Sequence, residues 1–170
     1  MRGWPVTEQL LWSFKSPGGF NFSRPVVAGG VVWASTTGGQ VFAVRASDGS
    51  VLWEEPVDWH PGNPVVHFDH IWGTSLVAVA EQYGGTNGYL KAFDPNTGAH
   101  LWTSSVPVAQ PGSGCTDPIV IPIFGEGNFQ VQLGTDDGTL MTFSAANGQL
   151  LWQQALSPGP IQAPPHWANW

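Results

Sequence analysis

Short apolar runs, each closed by a turn rich in glycine, proline or asparagine, follow one another along the chain. The first set is Pro25-Val-Val-Ala, Val31-Val-Trp-Ala-Ser, Gln40–Val44 and Ser50–Glu55, separated by Gly29-Gly30, Thr37-Gly38-Gly39 and Asp48-Gly49. A second set opens at Pro64-Val-Val-His and runs through Ser75–Glu81, a longer turn ending in Asn87-Gly88, Tyr89–Asp94 and Ala99–Ser104. The third comprises Asp117-Pro-Ile-Val-Ile, Phe129–Leu133, Thr139–Ser144 and Gln149–Gln154. Runs of this length between turn residues predict strands, four to a set, in the order of a propeller blade. Val41–Val44 and Leu140–Phe143 carry large side chains at nearly every position, which predicts apolar flanks on the first and third sets.

Each set ends on the same signature. Ala43 leads by six to Gly49 and on by four to Trp53; Ala92, Gly98 and Trp102 repeat the spacing, as do Thr142, Gly148 and Trp152. The three glycines fall 49 and 50 residues apart, a period of one supersecondary unit per copy. A polar residue before the glycine (Asp48, Thr97, Asn147) can bond nearby backbone, and the glycine supplies the positive φ a tight turn needs. The Trp is large enough to fill the wedge between two twisted sheets.

The predicted blades span about residues 22–56, 62–106 and 116–155, with partial strands at 9–15 and 160–170. Residues 9–15 match the Trp-bearing outer strand of a blade whose earlier strands are missing. Residues 105–116, rich in Pro, Gly and Ser, predict a surface connection. Ser157-Pro-Gly-Pro-Ile-Gln-Ala-Pro164 echoes the approach to the first blade, Ser16 to Pro25.

The pattern resembles the PQQ-like repeat family, the Trp-docked β-propellers of quinoprotein dehydrogenases and of outer-membrane assembly lipoproteins of the BamB type. The family motif reads Ala-x-Asp-x-x-Thr-Gly-Lys-x-x-Trp. Ala92, Asp94, Thr97, Gly98 and Trp102 match it, with Ala99 in place of the Lys. The first copy keeps Ala43, Gly49 and Trp53 but has Arg45 and Asp48 where Asp and Thr are usual; the third keeps Gly148 and Trp152. The resemblance covers nearly the whole chain and implies an all-β, partial propeller. It specifies fold rather than function, because the motif's residues hold blades together.

Composition agrees with short strands and turns: 22 Gly and 15 Pro in 170 residues, with only 10% charged against roughly a quarter in ordinary domains. A net charge of −7 with five Lys and Arg argues against nucleic acid or anionic membrane as partners. No apolar run approaches the length of a membrane-spanning helix, and the opening Met-Arg-Gly-Trp-Pro shows no apolar leader.

Candidate chemistry is sparse. Quinoprotein dehydrogenases, by the resemblance, place a disulfide of adjacent cysteines against their cofactor, but Cys115 is the single cysteine. No cofactor is therefore expected within this chain, and PQQ with calcium only if it belongs to a larger quinoprotein. The densest cluster of ligand-capable side chains runs from Asp58 to His70. On a strand His67 and Asp69 share a face, but His60 would have to fold in from a Pro-Gly loop, so the three are weak metal candidates. Asp136-Asp137-Gly138 lacks the alternating oxygens of a calcium loop and predicts a hairpin turn.

These readings lead to a non-enzymatic propeller scaffold for protein interaction, with a protein partner or self-association expected. The alternative is a fragment of a PQQ-dependent dehydrogenase whose catalytic residues lie outside this chain; a sugar- or metal-binding module is a third option. Blades bury their faces only against neighbours, so an arc of three is expected to leave two apolar flanks and to be part of a longer propeller or completed by another chain. Family resemblance points to a periplasmic or secreted location.

Overall fold

The structure, a computed structural model, describes residues 9–58, 61–68, 75–81, 87–107, 114–123 and 129–165. Strands that are apolar on both faces must be covered twice, and the chain meets this requirement by stacking sheets face to face. The first sheet holds β1 (Val26–Ala28), β2 (Val31–Thr36), β3 (Gln40–Arg45) and β4 (Val51–Pro56) in that spatial order. The second holds β5 (Val65–His67), β6 (Leu76–Glu81), β7 (Asn87–Phe93) and β8 (His100–Pro107). In the third lie β9 (Ile119–Pro122), β10 (Phe129–Gly134), β11 (Thr139–Ser144) and β12 (Leu150–Ala155). Within each sheet every strand pairs antiparallel with the next, so each sheet is one blade of a partial, open β-propeller. Among the described residues the only helical turn is a short 3-10 segment, Pro17–Gly19.

Alternation along β6 shows how the core is divided. Leu76, Ala78 and Ala80 pack with Val131, Leu133, Met141 and Phe143 of blade three. Val77 and Val79, on the opposite face, pack with Trp33, Val41 and Ala43 of blade one. Blade two is thus buried on both sides. The short innermost strands β1, β5 and β9 neighbour one another at the hub side.

A hydrogen-bonded chain ties the approaches to these inner strands together. Each approach ends in a residue followed by proline: Arg24-Pro25, Asn63-Pro64 and Asp117-Pro118. The Arg24 backbone N–H donates to Asn63 Oδ1 at 2.6 Å, and the Asn63 N–H donates to Asp117 Oδ1 at 2.7 Å. Asn63 Nδ2 also donates to Asp117 Oδ2 at 2.5 Å. One side chain therefore fixes the start of the next blade relative to the last.

Four features differ from the sequence expectations. Residues 9–15 join no ladder; they lie on the outward face of blade one, where Phe14 and Phe22 pack on Phe42 with ring centroids 5.2 and 6.1 Å from it. That flank is therefore partly roofed, leaving a groove of about 240 Å³ lined by Trp12, Phe22, Val32, Phe42 and Val44. The outward face of blade three is mixed rather than apolar, with Ile119 and Ile121 of β9 on the same side as Gln132 and Gln130. The residues of β10 and β11 that turn away from blade two are Gln130, Gln132, Leu140 and Thr142, because Val131, Leu133, Met141 and Phe143 take the inner positions. Asn87-Gly88, expected as a turn pair, begins β7 and pairs with Pro107 and Val106. Gly88 is required there by close approach, since a Cβ would sit 2.9 Å from the Glu81 carbonyl oxygen. Consequently β8 extends into the segment expected as a connection, burying Val106. At the other end, residues 160–165 form no strand, and Ile161 covers Gly134; residues 166–170 lie outside the described residues.

Candidate functional site

The three signature turns have one geometry. Gly49, Gly98 and Gly148 have φ of 74°, 75° and 72°. Each N–H closes back on the residue four earlier: Gly98 donates to Asp94 O at 2.9 Å, Gly49 to Arg45 O at 2.9 Å and Gly148 to Ser144 O at 2.8 Å. Side chains brace the turn. Asp94 Oδ1 accepts from the N–H groups of Asn96 and Thr97 at 2.8 and 2.9 Å, and Thr97 Oγ1 accepts from Ala99 N–H at 3.2 Å. Asp48 and Asn147 accept from Ser50 and Gln149 N–H at 2.9 and 3.0 Å.

A β-bulge follows in every copy. Ala43 pairs with Trp53 but Val44 with Val51, leaving Leu52 as the extra residue; Leu101 and Leu151 hold the same place opposite Ala92 with Phe93 and Thr142 with Phe143. The Trp then faces the following blade. Trp53 Nε1 donates to Pro95 O at 2.9 Å and Trp102 Nε1 to Ala145 O at 2.9 Å, each ring lying against Gly98 or Gly148 of the next turn. Trp53 and Trp102 are 7% and 6% exposed. Ala43 and Ala92, directly opposite them, are fully buried. Trp12 of the leading segment completes the series: its Nε1 donates to Ala46 O at 2.8 Å and its ring lies on Gly49. Trp152 lies at the same position of blade three and is 42% exposed, beside exposed Leu150, Leu151 and Leu156.

A charged group sits at the opposite end of blade two. Glu81 closes β6 and is fully buried; Lys91 lies diagonally across the ladder on β7; Asp58 follows β4 of blade one. Lys91 Nζ is 3.1 Å from Glu81 Oε2 and 3.0 Å from Asp58 Oδ2. Burial pushes Glu81 up to about 7, only partly opposed by Lys91. The hydrogen bond from Lys91 holds Asp58 below the usual carboxylate range. Burial pulls Lys91 down, yet its two carboxyl partners outweigh this and leave it raised. Sequence reasoning assigned Asp58 to a ligand cluster and did not find this group. The available signal was two charges, Glu81 and Lys91, inside otherwise apolar strands.

Of the metal candidates, His67 ends β5, half-buried, with its ring centroid 3.9 Å from that of Phe129. His60 and Asp69 lie outside the described residues, as do Trp59, His70, Trp72, Trp167 and Trp170. Among the described residues no three His, Cys, Asp or Glu converge on a metal-sized site. Asp137 spends its carboxylate within its own turn, accepting from the Thr135 hydroxyl and from Thr139 N–H at 3.1 Å. Cys115 bridges to Thr135, and burial pushes its thiol up to about 11.

The repeated docking of one blade's Trp on the next blade's glycine turn agrees with what comparison finds. A family model of the PQQ-like repeat type, described as outer membrane protein assembly factor BamB, matches residues 5–83 and 86–169. The chain belongs to this family. Outer membrane protein assembly factor BamB of Yersinia pestis is 28% identical over 137 residues, 79% of this chain and 33% of that protein. The chain thus spans about a third of that relative's length. The crystal structure of BamB from Moraxella catarrhalis superposes with a TM-score of 0.60 at 19% identity, over 83% of this chain and 36% of that one. A quinohemoprotein alcohol dehydrogenase from Pseudomonas putida superposes with a TM-score of 0.53 at 16% identity, over 80% and 26%. At these identities the two structures speak for a shared fold.

Proposed function

We propose that this PQQ-like repeat chain is a non-enzymatic scaffold that binds other polypeptide, including further copies of itself, through the outward face of blade three. The observation that carries this reading is Trp152. Its sister indoles are buried under the next blade, whereas Trp152 remains 42% exposed on a face that also carries Gln130, Gln132, Ile119 and Ile121. An exposed aromatic anchor on a face of mixed polar and apolar side chains is the composition of a non-obligate protein interface rather than of a domain core. The name of the matched relatives, an assembly factor, supports the same reading. The alternative, a segment of a PQQ-dependent dehydrogenase, draws on fold likeness to the alcohol dehydrogenase alone. Cofactor binding within this chain is not expected. By family resemblance we assign the protein to a periplasmic or secreted setting.

Size exclusion with light scattering tests the proposal. The wild-type chain is expected to run above its 18.2 kDa monomer mass, and Trp152→Ala to shift it toward monomer. An unchanged monomeric mass for both would remove the proposed face. Titration with PQQ and calcium is the second arm, where stoichiometric quinone binding would transfer support to the dehydrogenase reading.

A further inference from the structure

The three blades serve as controls for one another. Register places Glu81 of β6 level with Thr36 of β2 and Thr135 after β10, which are also buried. In the same way Lys91 stands where the sister blades have Phe42 and Met141. Asp58 follows Val57, whose N–H donates to Gly39 O; the matching donor in blade three is Leu156, which is followed by Ser157. Blade two alone has exchanged a hydroxyl and a large apolar residue for a carboxylate and an ammonium. Blade one's linker supplies the second carboxylate.

The charge count matters in a site this dry. One ammonium faces two carboxylates, so the fully ionised group carries an excess negative charge with Glu81 wholly removed from water. Among the described residues neither Glu81 carboxyl oxygen accepts a hydrogen bond, Lys91 Nζ meeting Oε2 as an ion-pair contact, so burial weighs on the ionised form. Burial favours a proton on Glu81 rather than on Asp58, which is the more exposed partner at 47%. With the proton in place Lys91 stays paired with Asp58, and the net charge is zero. Loss of the proton to solvent leaves two carboxylates sharing one cation. Among the described residues Lys91 and Asp58 are the charged groups that bear on Glu81, and the Cys115 thiol is a further titratable group within its field. Tyr89 pairs with it in the ladder, and Pro61 bridges it from the hub side without a titratable group.

We propose that Glu81, Lys91 and Asp58 form a proton-dependent clasp between blades one and two, closed when Glu81 is protonated and loosened when it ionises. The direction follows from linkage. The folded-state affinity of Glu81 for its proton exceeds the unfolded one, so folding takes up a proton between the ordinary Glu value of 4.5 and about 7. Stability from this group is present at the acid end and is lost as pH rises through that window. Asp58, held low, titrates below the window, and Lys91 above it.

The experiment is urea denaturation of the full chain from about pH 5 to pH 8.5 for wild type, Glu81→Gln and Asp58→Ser. Relative to Glu81→Gln, the wild-type folding constant is expected to fall as pH rises, by up to about 75-fold over this range, and to level off above about 7. Histidine titrations are common to both chains and cancel. Asp58→Ser removes a group that raises Glu81, so its window should close at lower pH. Parallel pH profiles for wild type and Glu81→Gln would overturn the clasp. Should Glu81→Gln fail to fold, the carboxyl carbon resonance of Glu81 in the wild-type chain decides: a midpoint near 7 supports the clasp, and one near 4.5 removes it.

Discussion

The indole N–H of Trp102 donates to the carbonyl oxygen of Ala145 across the gap between blades two and three, at 2.9 Å, while its ring roofs Gly148. The same residue type at the same register position in blade three, Trp152, is 42% exposed. One chain therefore holds both the docked and the undocked form of a single contact. Trp102→Ala is expected to cost about 3–5 kcal/mol, the range for truncating a buried aromatic. Trp152→Ala should cost less than about 1 kcal/mol in the monomer. Urea melts at low protein concentration measure both, and equal losses would mean that docking adds nothing to stability.

Glycine is required in the signature turn for two separable reasons. Gly98 has a φ of 75°, and a Cβ there would come within 2.8 Å of the Trp53 ring. Gly30 has a φ of 78° but meets nothing within 4 Å. Gly30→Ala should lose about 1 kcal/mol, the backbone cost of a side chain in the left-handed region. Gly98→Ala should lose a further 1–3 kcal/mol, roughly the cost of overpacking. A difference near zero between the two would place the whole requirement in the backbone.

Asp117 receives two hydrogen bonds from Asn63, through its backbone N–H and its side-chain amide. Asp117→Ala leaves both half-buried donors unmet, which should cost about 1–3 kcal/mol. Asp117→Asn keeps one acceptor oxygen and should recover part of the loss. Thermal melts of the pair check this; an alanine variant as stable as wild type would show that water replaces the carboxylate without penalty.

Because burial raises the Cys115 thiol to about 11, very little thiolate is present near neutral pH. Thiol-reagent labelling of the folded chain at about pH 8 should be at least tenfold slower than in urea. Raising the pH toward 11 should speed it. Equal rates in buffer and in urea would mean that the thiol is already free to react.

Much of the fold was legible because its devices are local. The positions of Gly49, Gly98 and Gly148 and of the Trp four residues on depend on one turn and one bulge, and both lie within a short window of sequence. Glu81 paired with Lys91 and Asp58 was not legible, since Lys91 and Asp58 are 33 residues apart and meet only when two blades stack. The mixed flank of blade three stands between these cases. Phe129-Gln-Val-Gln-Leu alternates openly, but which set of alternate residues faces blade two is decided by register with β11. Asn87-Gly88 carries a turn signal that tertiary approach overrides, as Gly88 is needed to bring β7 against the Glu81 backbone.

The extra residue in each outermost strand governs how such an array can grow. β4, β8 and β12 present one unpaired edge apiece, and an unbroken edge is a template for another chain. Leu52, Leu101 and Leu151 each displace the backbone by a residue midway along that edge, so a straight incoming strand would lose register after a few bonds. Lateral extension into a fifth strand is thereby discouraged in every blade. Addition is left to proceed in the perpendicular direction, sheet upon sheet, where a tryptophan and a glycine turn set the step.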